Sequence, residues 1–366
     1  MTPRRVLCAG SRAREGGRPG ARSLPARGFV AVAALLLAAC GGSGGGGSGG
    51  GPGSSPTPTP TPGFERSLGF VVSSFGLLFP EVAGEACPAG LAMGPVEYAA
   101  AGLAVPPDDC GDPLSAPPPG FPAMLAPGSL DGFDLDAGGA AGCTHEGFTG
   151  PDGSAGIDDQ LWRAIGCIRG FQEGDIVGGV VDAAVRDGSM TILVDVRDVD
   201  DPRNDDDVTV QVFASRETPP SGGDGSVLPW GTLAIDPDPR FHGSEAHGRI
   251  VDGVLEAGPM DVRLRLNIQI VEGELSFRAA RLRLAIGRGG DATGGFHGYA
   301  PVDELYDLFG RQAGAIGGKE AIGYLCSGLR RLLDEQADGD LDPASGSCRS
   351  ISSSWRIGAV PAFVAR

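Results

Sequence analysis

Lysine is almost missing from this 366-residue chain: Lys319 is the only one, and all other basic side chains are arginine. Aromatics make up 6% and histidine occurs four times. No apolar run reaches the roughly 20 residues that a bilayer-spanning helix needs. The longest, Phe29 to Ala39, has eleven. There is no internal repeat. No GxSxG elbow, P-loop, Rossmann glycine pattern, HExxH or CxxC spacing is present. Serine-elbow, nucleotide-cradling and zinc chemistries lose their usual signals as a result. The excess of acid, net −17, repels nucleic acid and anionic lipid heads, so no nucleic-acid partner is expected.

What the chain does have is abundant Gly (63), abundant Pro (30) and eight cysteines. Seven arginines precede the eleven-residue apolar run, the layout of a signal peptide rather than of a membrane span. The run ends Leu37-Ala38-Ala39-Cys40, which resembles the lipobox of bacterial lipoproteins cut by signal peptidase II. Small residues at 38 and 39 admit the backbone to the peptidase, and the Cys40 thiol accepts the diacylglycerol. The resemblance implies loss of residues 1–39, acyl chains such as palmitate on Cys40, and attachment to a membrane through that lipid. Each buried methylene contributes about 0.8 kcal/mol, so two or three chains anchor lastingly. Gly41 in place of Asp resembles lipoproteins sent on to the outer membrane, with the domain facing periplasm or cell surface. Residues 40–63 form a Gly/Ser and Pro-Thr tether of roughly 25–50 Å. Without residues 1–39, which hold seven Arg and one Glu, the charge becomes −23.

Six cysteines remain: Cys87, Cys110, Cys143, Cys167, Cys326 and Cys348. In an exported chain they read as three disulfides. Of fifteen pairings, the local set 87–110, 143–167 and 326–348 is expected, each loop contributing about 3 kcal/mol on the chain-entropy view.

Residues 64–142 are rich in Pro and Gly and read as irregular, apart from Leu68–Phe79, a strand or an amphipathic helix. Residues 143–366 carry clearer periods. A helix is expected from an Asp158 cap, and a second over 176–185 stopped by Gly188. Period-two stretches at 190–196, 208–213, 262–270 and 274–286 predict strands, the last two joined at Glu272-Gly273. A tight hairpin is expected at Asp252-Gly253. Helical period returns around Leu305–Phe309 and over Ile322–Leu333, with Ile357–Val364 as an edge strand. The fold class expected is mainly β with flanking helices: an antiparallel β-sandwich stapled by disulfides. The run Gly156 to Cys167, with Asp200-Asp201-Pro202-Arg203-Asn204-Asp205 downstream, resembles a group of proteobacterial exported proteins of unassigned function. That likeness spans most of 85–365 and implies no activity.

Calcium is the cofactor to weigh, because Asp-rich loops supply the oxygen ligands it prefers. The first candidate is Asp198, Asp200, Asp201, Asp205, Asp206 and Asp207, with Asp195 beside them. The second is Asp134, Asp136, Asp152, Asp158 and Asp159. The third, Asp338, Asp340 and Asp342, lacks the EF-hand glycine and glutamate, having Pro343 and Arg349 there. The histidines, His145, His242, His247 and His297, are scattered and read as structural. No catalytic residue is assigned. The expected function is a non-enzymatic envelope module that binds a glycan or an envelope protein. The alternative is a polysaccharide hydrolase built on a carboxylate pair, for which Glu256, Glu272 and Glu274 lie near strands. Trp162, Trp230 and Trp355 are candidates for sugar stacking, Trp162 more for the core.

Overall fold

Eight long strands carry the architecture: β1 (Arg66–Leu77), β2 (Thr191–Val199), β3 (Asp205–Ser215), β4 (Ala246–Val251), β5 (Val254–Ile268), β6 (Val271–Ile286), β7 (Ala292–Pro301) and β8 (Cys348–Ala365). The computed structural model describes residues 66–117, 119–136, 143–268 and 271–366. The expected signal peptide, Cys40 and the expected tether lie outside the described residues.

Each strand pairs antiparallel with the next, and β8 pairs back onto β1. Residues 355–359 of β8 have partners on both edges. The fold is mainly β with few helices, and the two faces of the sandwich are one sheet rolled until its ends meet. Gly231–Ala234 adds a short parallel pairing on the end of β8, and a separate small sheet holds Gly128–Ser129 parallel to Phe148–Thr149. An eight-stranded ring has an interior that side chains can just fill. Here Phe75, Ile192, Val212, Leu264, Phe296 and Ile357 fill it, leaving a void of about 10 Å³. Phe75 stacks on Trp355 with centroids 5.0 Å apart.

The local rules are easy to follow. Ile192, Val194 and Val196 point inward from β2. Its outward Leu193 is also buried, in a second small core with Val71, Phe213, Val227, Leu233 and Ala362. Burial on both faces explains why Ile-Leu-Val there runs without polar alternation. In β6 the inward set shifts from Leu275 and Phe277 to Ala280, Leu282 and Leu284. A bulge at Ala279 (φ 48°) makes the shift, its amide held by Asp261. Asp252 (φ 53°) and Gly253 (φ 82°) form the expected tight turn between β4 and β5. Helix α1 (Gln160–Ile165) is capped by Asp159, one residue later than expected. Helix α2 (Ile176–Asp187) ends at left-handed Gly188 as the sequence predicts.

Four sequence expectations need correcting. The C-terminal stretch is no edge strand, because β8 is the strand that closes the ring. Its serines hid this: Ser350, Ser352, Ser353 and Ser354 are all buried. The β5–β6 turn is not at Glu272-Gly273, since those residues already pair with Asn267 and Leu266. The helix expected over 322–333 is two pieces, Gly318–Ile322 and α3 (Cys326–Glu335), parted where Gly323 adopts φ 90°. The disulfides are long-range rather than local: Cys87–Cys167, Cys110–Cys326 and Cys143–Cys348, separated by 80, 216 and 205 residues. Sequence spacing cannot choose among pairings when the fold brings distant segments together. Helix α3 also explains the single lysine. The Asp108 carboxylate accepts the Cys326 and Ser327 amides at its N-terminus and pairs with Lys319 at 3.2 Å.

Peptide mapping of the oxidised protein without reductant is expected to recover 87–167, 110–326 and 143–348. Recovery of the local pairs would refute this topology. Replacing Cys143 and Cys348 together with serine is expected to cost about 3–5 kcal/mol in denaturant melts.

Candidate metal centre

Among the described residues the first acidic loop does not converge on a metal-sized site. Asp205 spends its carboxylate on the amides of Asp200, Asp201 and Asp207. Those bonds hold it below the usual carboxylate range. Asp201 holds the Arg203 amide, and Asp207 faces exposed His247. Asp195 sits in β2 and pairs with Arg366 and Arg197. The third candidate is dispersed too. Asp340 pairs with Arg278, and Asp342 with Arg349.

The second candidate does come together. Ligand oxygens of Asp134, Asp136 and Asp158 lie within 4.8 Å of one another. Asp158 organises the set. Its amide donates to the Phe133 carbonyl at 3.0 Å. Its Oδ2 accepts the Leu135 amide at 2.7 Å and the Asp136 amide at 3.2 Å. Those bonds bend residues 133–136 so that both aspartates return toward Asp158. Gly132 permits the approach, since a Cβ there would sit 2.7 Å from Ile157. The disulfide expected to gather this group, 143–167, does not exist. Cys143 is tied instead to Cys348 at the start of β8. Asp152 stays apart in an exposed turn with Ser154.

The serines of β8 build the floor. The Ser352 amide donates to Asp338 Oδ1 at 2.6 Å, and Ser352 Oγ accepts the Gln160 amide at 3.0 Å. Ser354 Oγ donates to the Asp158 carbonyl and lies 3.0 Å from His297 Nδ1. With the serine proton committed, His297 donates from Nδ1. Sequence reasoning missed Tyr299 and these serines, and it placed Asp338 in the wrong group. A run of small polar residues leading into Trp355 was the available signal.

The electrostatics are one-sided. Asp158, Asp159 and Asp338 are 4%, 2% and 7% exposed. Burial, then the Asp136 and Asp134 charges against two amide bonds, raises Asp158 to about 6. Burial, with the Asp158 charge, raises Asp338 to about 7. Asp159 is pushed well up by burial, and Asp136 is raised by burial and by Asp134. Burial and the same carboxylates push the Tyr299 phenol up, so it stays protonated. Burial holds His297 at about 3, and the Arg283 charge adds to this. Asp134 Oδ1 and Asp159 Oδ2 are buried without a hydrogen-bond partner, and none of Asp134, Asp136, Asp158 or Asp338 makes an ion pair among the described residues. An uncompensated buried carboxylate is costly unless a proton or a cation joins it. The donors are all oxygen, the set a hard cation prefers.

The remaining candidates are structural. His145 meets the Ala337 carbonyl and His242 the Asp236 carbonyl. Glu256 is paired with Arg249 and Arg283, and Glu274 with Arg240 and Arg263. A second Asp/Cys grouping, Asp108 with Cys110 and Cys326, offers no thiolates because those cysteines are bridged. Trp162 and Trp355 are buried, and Trp230 is 59% exposed. Comparison with family models, with curated proteins and with solved structures gave no match.

The raised carboxylates fix a pH dependence. Between the ordinary value of 3.8 and about 6 to 7, the folded state holds protons that the unfolded chain has lost. Their contribution is therefore largest at low pH and is lost as pH rises through that window. His297 acts in the opposite sense below 6.5 but is outnumbered by Asp158, Asp159 and Asp338. In EDTA, the melting temperature is expected to climb as pH drops from about 8 to about 5. A flat or falling profile would mean the carboxylates are already compensated.

Proposed function

We propose that the mature chain is a non-enzymatic binding module of the cell envelope, lipid-anchored through Cys40 and stabilised by calcium. The observation that carries the calcium reading is the convergence of Asp134, Asp136 and Asp158, with an Asp134 oxygen that is buried and unpartnered and no ion pair to any of the three among the described residues. Calcium takes six to eight oxygen ligands and tolerates irregular geometry, which suits carboxylates presented by a loop and a helix start. Asp134, Asp136 and Asp158 are the residues that would hold it, with Asp338 adding negative charge behind them. The ion would tie residues 133–136 to the start of α1 and to β8.

Lipid attachment rests on the Leu37–Cys40 sequence, and the outer-membrane address on Gly41. Three disulfides agree with an oxidising compartment. For glycan or protein binding, the support is Trp230, exposed beside exposed Phe363 with ring centroids 6.1 Å apart. Trp230 holds φ 66°, a costly backbone for a bulky residue, while its amide donates to the Pro361 carbonyl. The hydrolase alternative has less support. Asp158, Asp159 and Asp338 are buried, and Glu256 and Glu274 are each paired with two arginines.

Calcium titration into the EDTA-treated protein is expected to raise its melting temperature, by about 2.7 kcal/mol of stability at 100 times the dissociation constant. It should also flatten the pH profile, because the ion keeps the carboxylates ionised. Asp158→Asn should abolish the response while melting, in EDTA near neutral pH, no lower than the parent. Wild-type protein with no calcium response and no bound metal on elemental analysis would sink the reading.

A further inference from the structure

The ring interior is full, but the space at its mouth beneath α2 is not. A chamber of about 270 Å³ lies between α2, the end of the β5–β6 hairpin and the helical segments of 308–322. Its walls are apolar, among them Val180, Met190, Leu266, Leu275 and Leu308. Ile176 and Ile316 flank it and are 44% and 48% exposed. A second chamber of about 370 Å³ lies on the other side of α2, toward the end of β1. Both share Val177, Val181, Phe309 and Trp355. The first falls just below, and the second just inside, the about 300–1,000 Å³ typical of ligand pockets, and joined they lie well within it.

Helix α2 is weakly held over this space. Only Val177, Ala184 and Val185 of its twelve residues are buried. Gly178 and Gly179 face the second chamber with nothing within 4 Å of where a Cβ would stand. Two adjacent glycines also lower helix propensity, by about 1 kcal/mol each against alanine. The segment crossing the first chamber, Tyr306–Gln312, is wound as π-helix, a geometry frequent at functional sites.

The second chamber has one cation. Arg356 lines it and makes no ion pair among the described residues. Of the acids there, Asp175 caps α2 and Asp182 accepts the Phe75 amide, while Glu173 is exposed. An apolar chamber beside a guanidinium that has no ion pair among the described residues is complementary to a hydrocarbon chain that ends in a carboxylate.

We propose that the two chambers beneath α2 form one site for a long-chain fatty acid, its hydrocarbon in the apolar chamber and its carboxylate at Arg356. The chain passes between the chambers when Val177 and Val181 move with α2. This site does not depend on calcium, so the two readings stand or fall separately.

The test uses the oxidised chain from residue 41 onward, made without lipid, and dansylundecanoic acid as the fluorescent probe. Palmitate is expected to displace the probe, and probe binding to quench Trp355 emission. Gly178→Leu fills the space that the glycine leaves. It should weaken palmitate at least about tenfold while melting no lower than the parent, because leucine is the better helix former. If that variant melts low, Gly179→Leu replaces it. Arg356→Gln should weaken palmitate about tenfold and leave hexadecanol unchanged. Failure of palmitate to displace the probe, or unaltered affinity in the folded glycine variant, overturns the site. Equal effects of Arg356→Gln on acid and alcohol overturn the placement of the carboxylate.

Discussion

The fold depends on one strand having partners on both edges. Over 355–359, β8 binds β7 on one side and β1 on the other. Val71 packs with Ala362 in the small outer core, and the β1 pairing runs on through Val360 and Pro361. Without it the sheet would expose two open edges, the feature that most invites aggregation. With it, the inward side chains of β1 to β8 share one dry interior. Leading into that stretch, residues 350–355 are buried on both faces and have no solvent for their polar side chains. The serines before Trp355 therefore find partners inside the protein: Ser353 with the Gly298 carbonyl and Trp355 Nε1, Ser354 with the Asp158 carbonyl. Polar residues at these positions fix where α1 and residues 133–136 dock.

The acidic centre is a product of that docking. Asp158 is held against β8 through its own carbonyl, and its carboxylate then shapes the loop that brings Asp134 and Asp136 back. Asp338 arrives from the segment just before β8 and is buried against the Ser352 amide. Four aspartates from three stretches of sequence thus lie close together, none of them in an ion pair among the described residues. Elsewhere the chain spends its arginines freely on surface carboxylates, as in the Arg240–Glu274 and Arg283–Glu256 pairs. The centre differs from that surface because its charges are buried, where they weigh most.

Much of the regular structure was legible. The alternation of Val262 to Leu266, the turn at Asp252-Gly253 and the α2 stripe with its Gly188 stop are local signals, and local rules read them. The second aspartate group was legible as a composition, since its members are close in sequence. The rest failed for one physical reason: it was decided by contacts between distant segments. Sequence spacing favoured Cys326 with Cys348, yet the ring places Cys348 beside Cys143. Ser352 to Ser354 lack alternation because their hydroxyls are engaged internally, so the strand they belong to looked peripheral. Asp338 appeared to belong with Asp340 and Asp342, but it is buried against the Ser352 amide while they pair with Arg278 and Arg349.

The three bridges carry a further consequence, for how the molecule is made. Counted along the chain, the cysteines join first to fourth, second to fifth and third to sixth. No bridge links neighbours in the order in which cysteines emerge during synthesis or export. Cys87 meets Cys110 long before Cys167 exists to compete, and two of the three native partners, Cys326 and Cys348, come last. Early oxidation therefore favours wrong pairs, and the correct set is reached only once the final strand has closed the ring. Thiolate attack on those early pairs has to undo them, so maturation depends on disulfide exchange as well as on an oxidant.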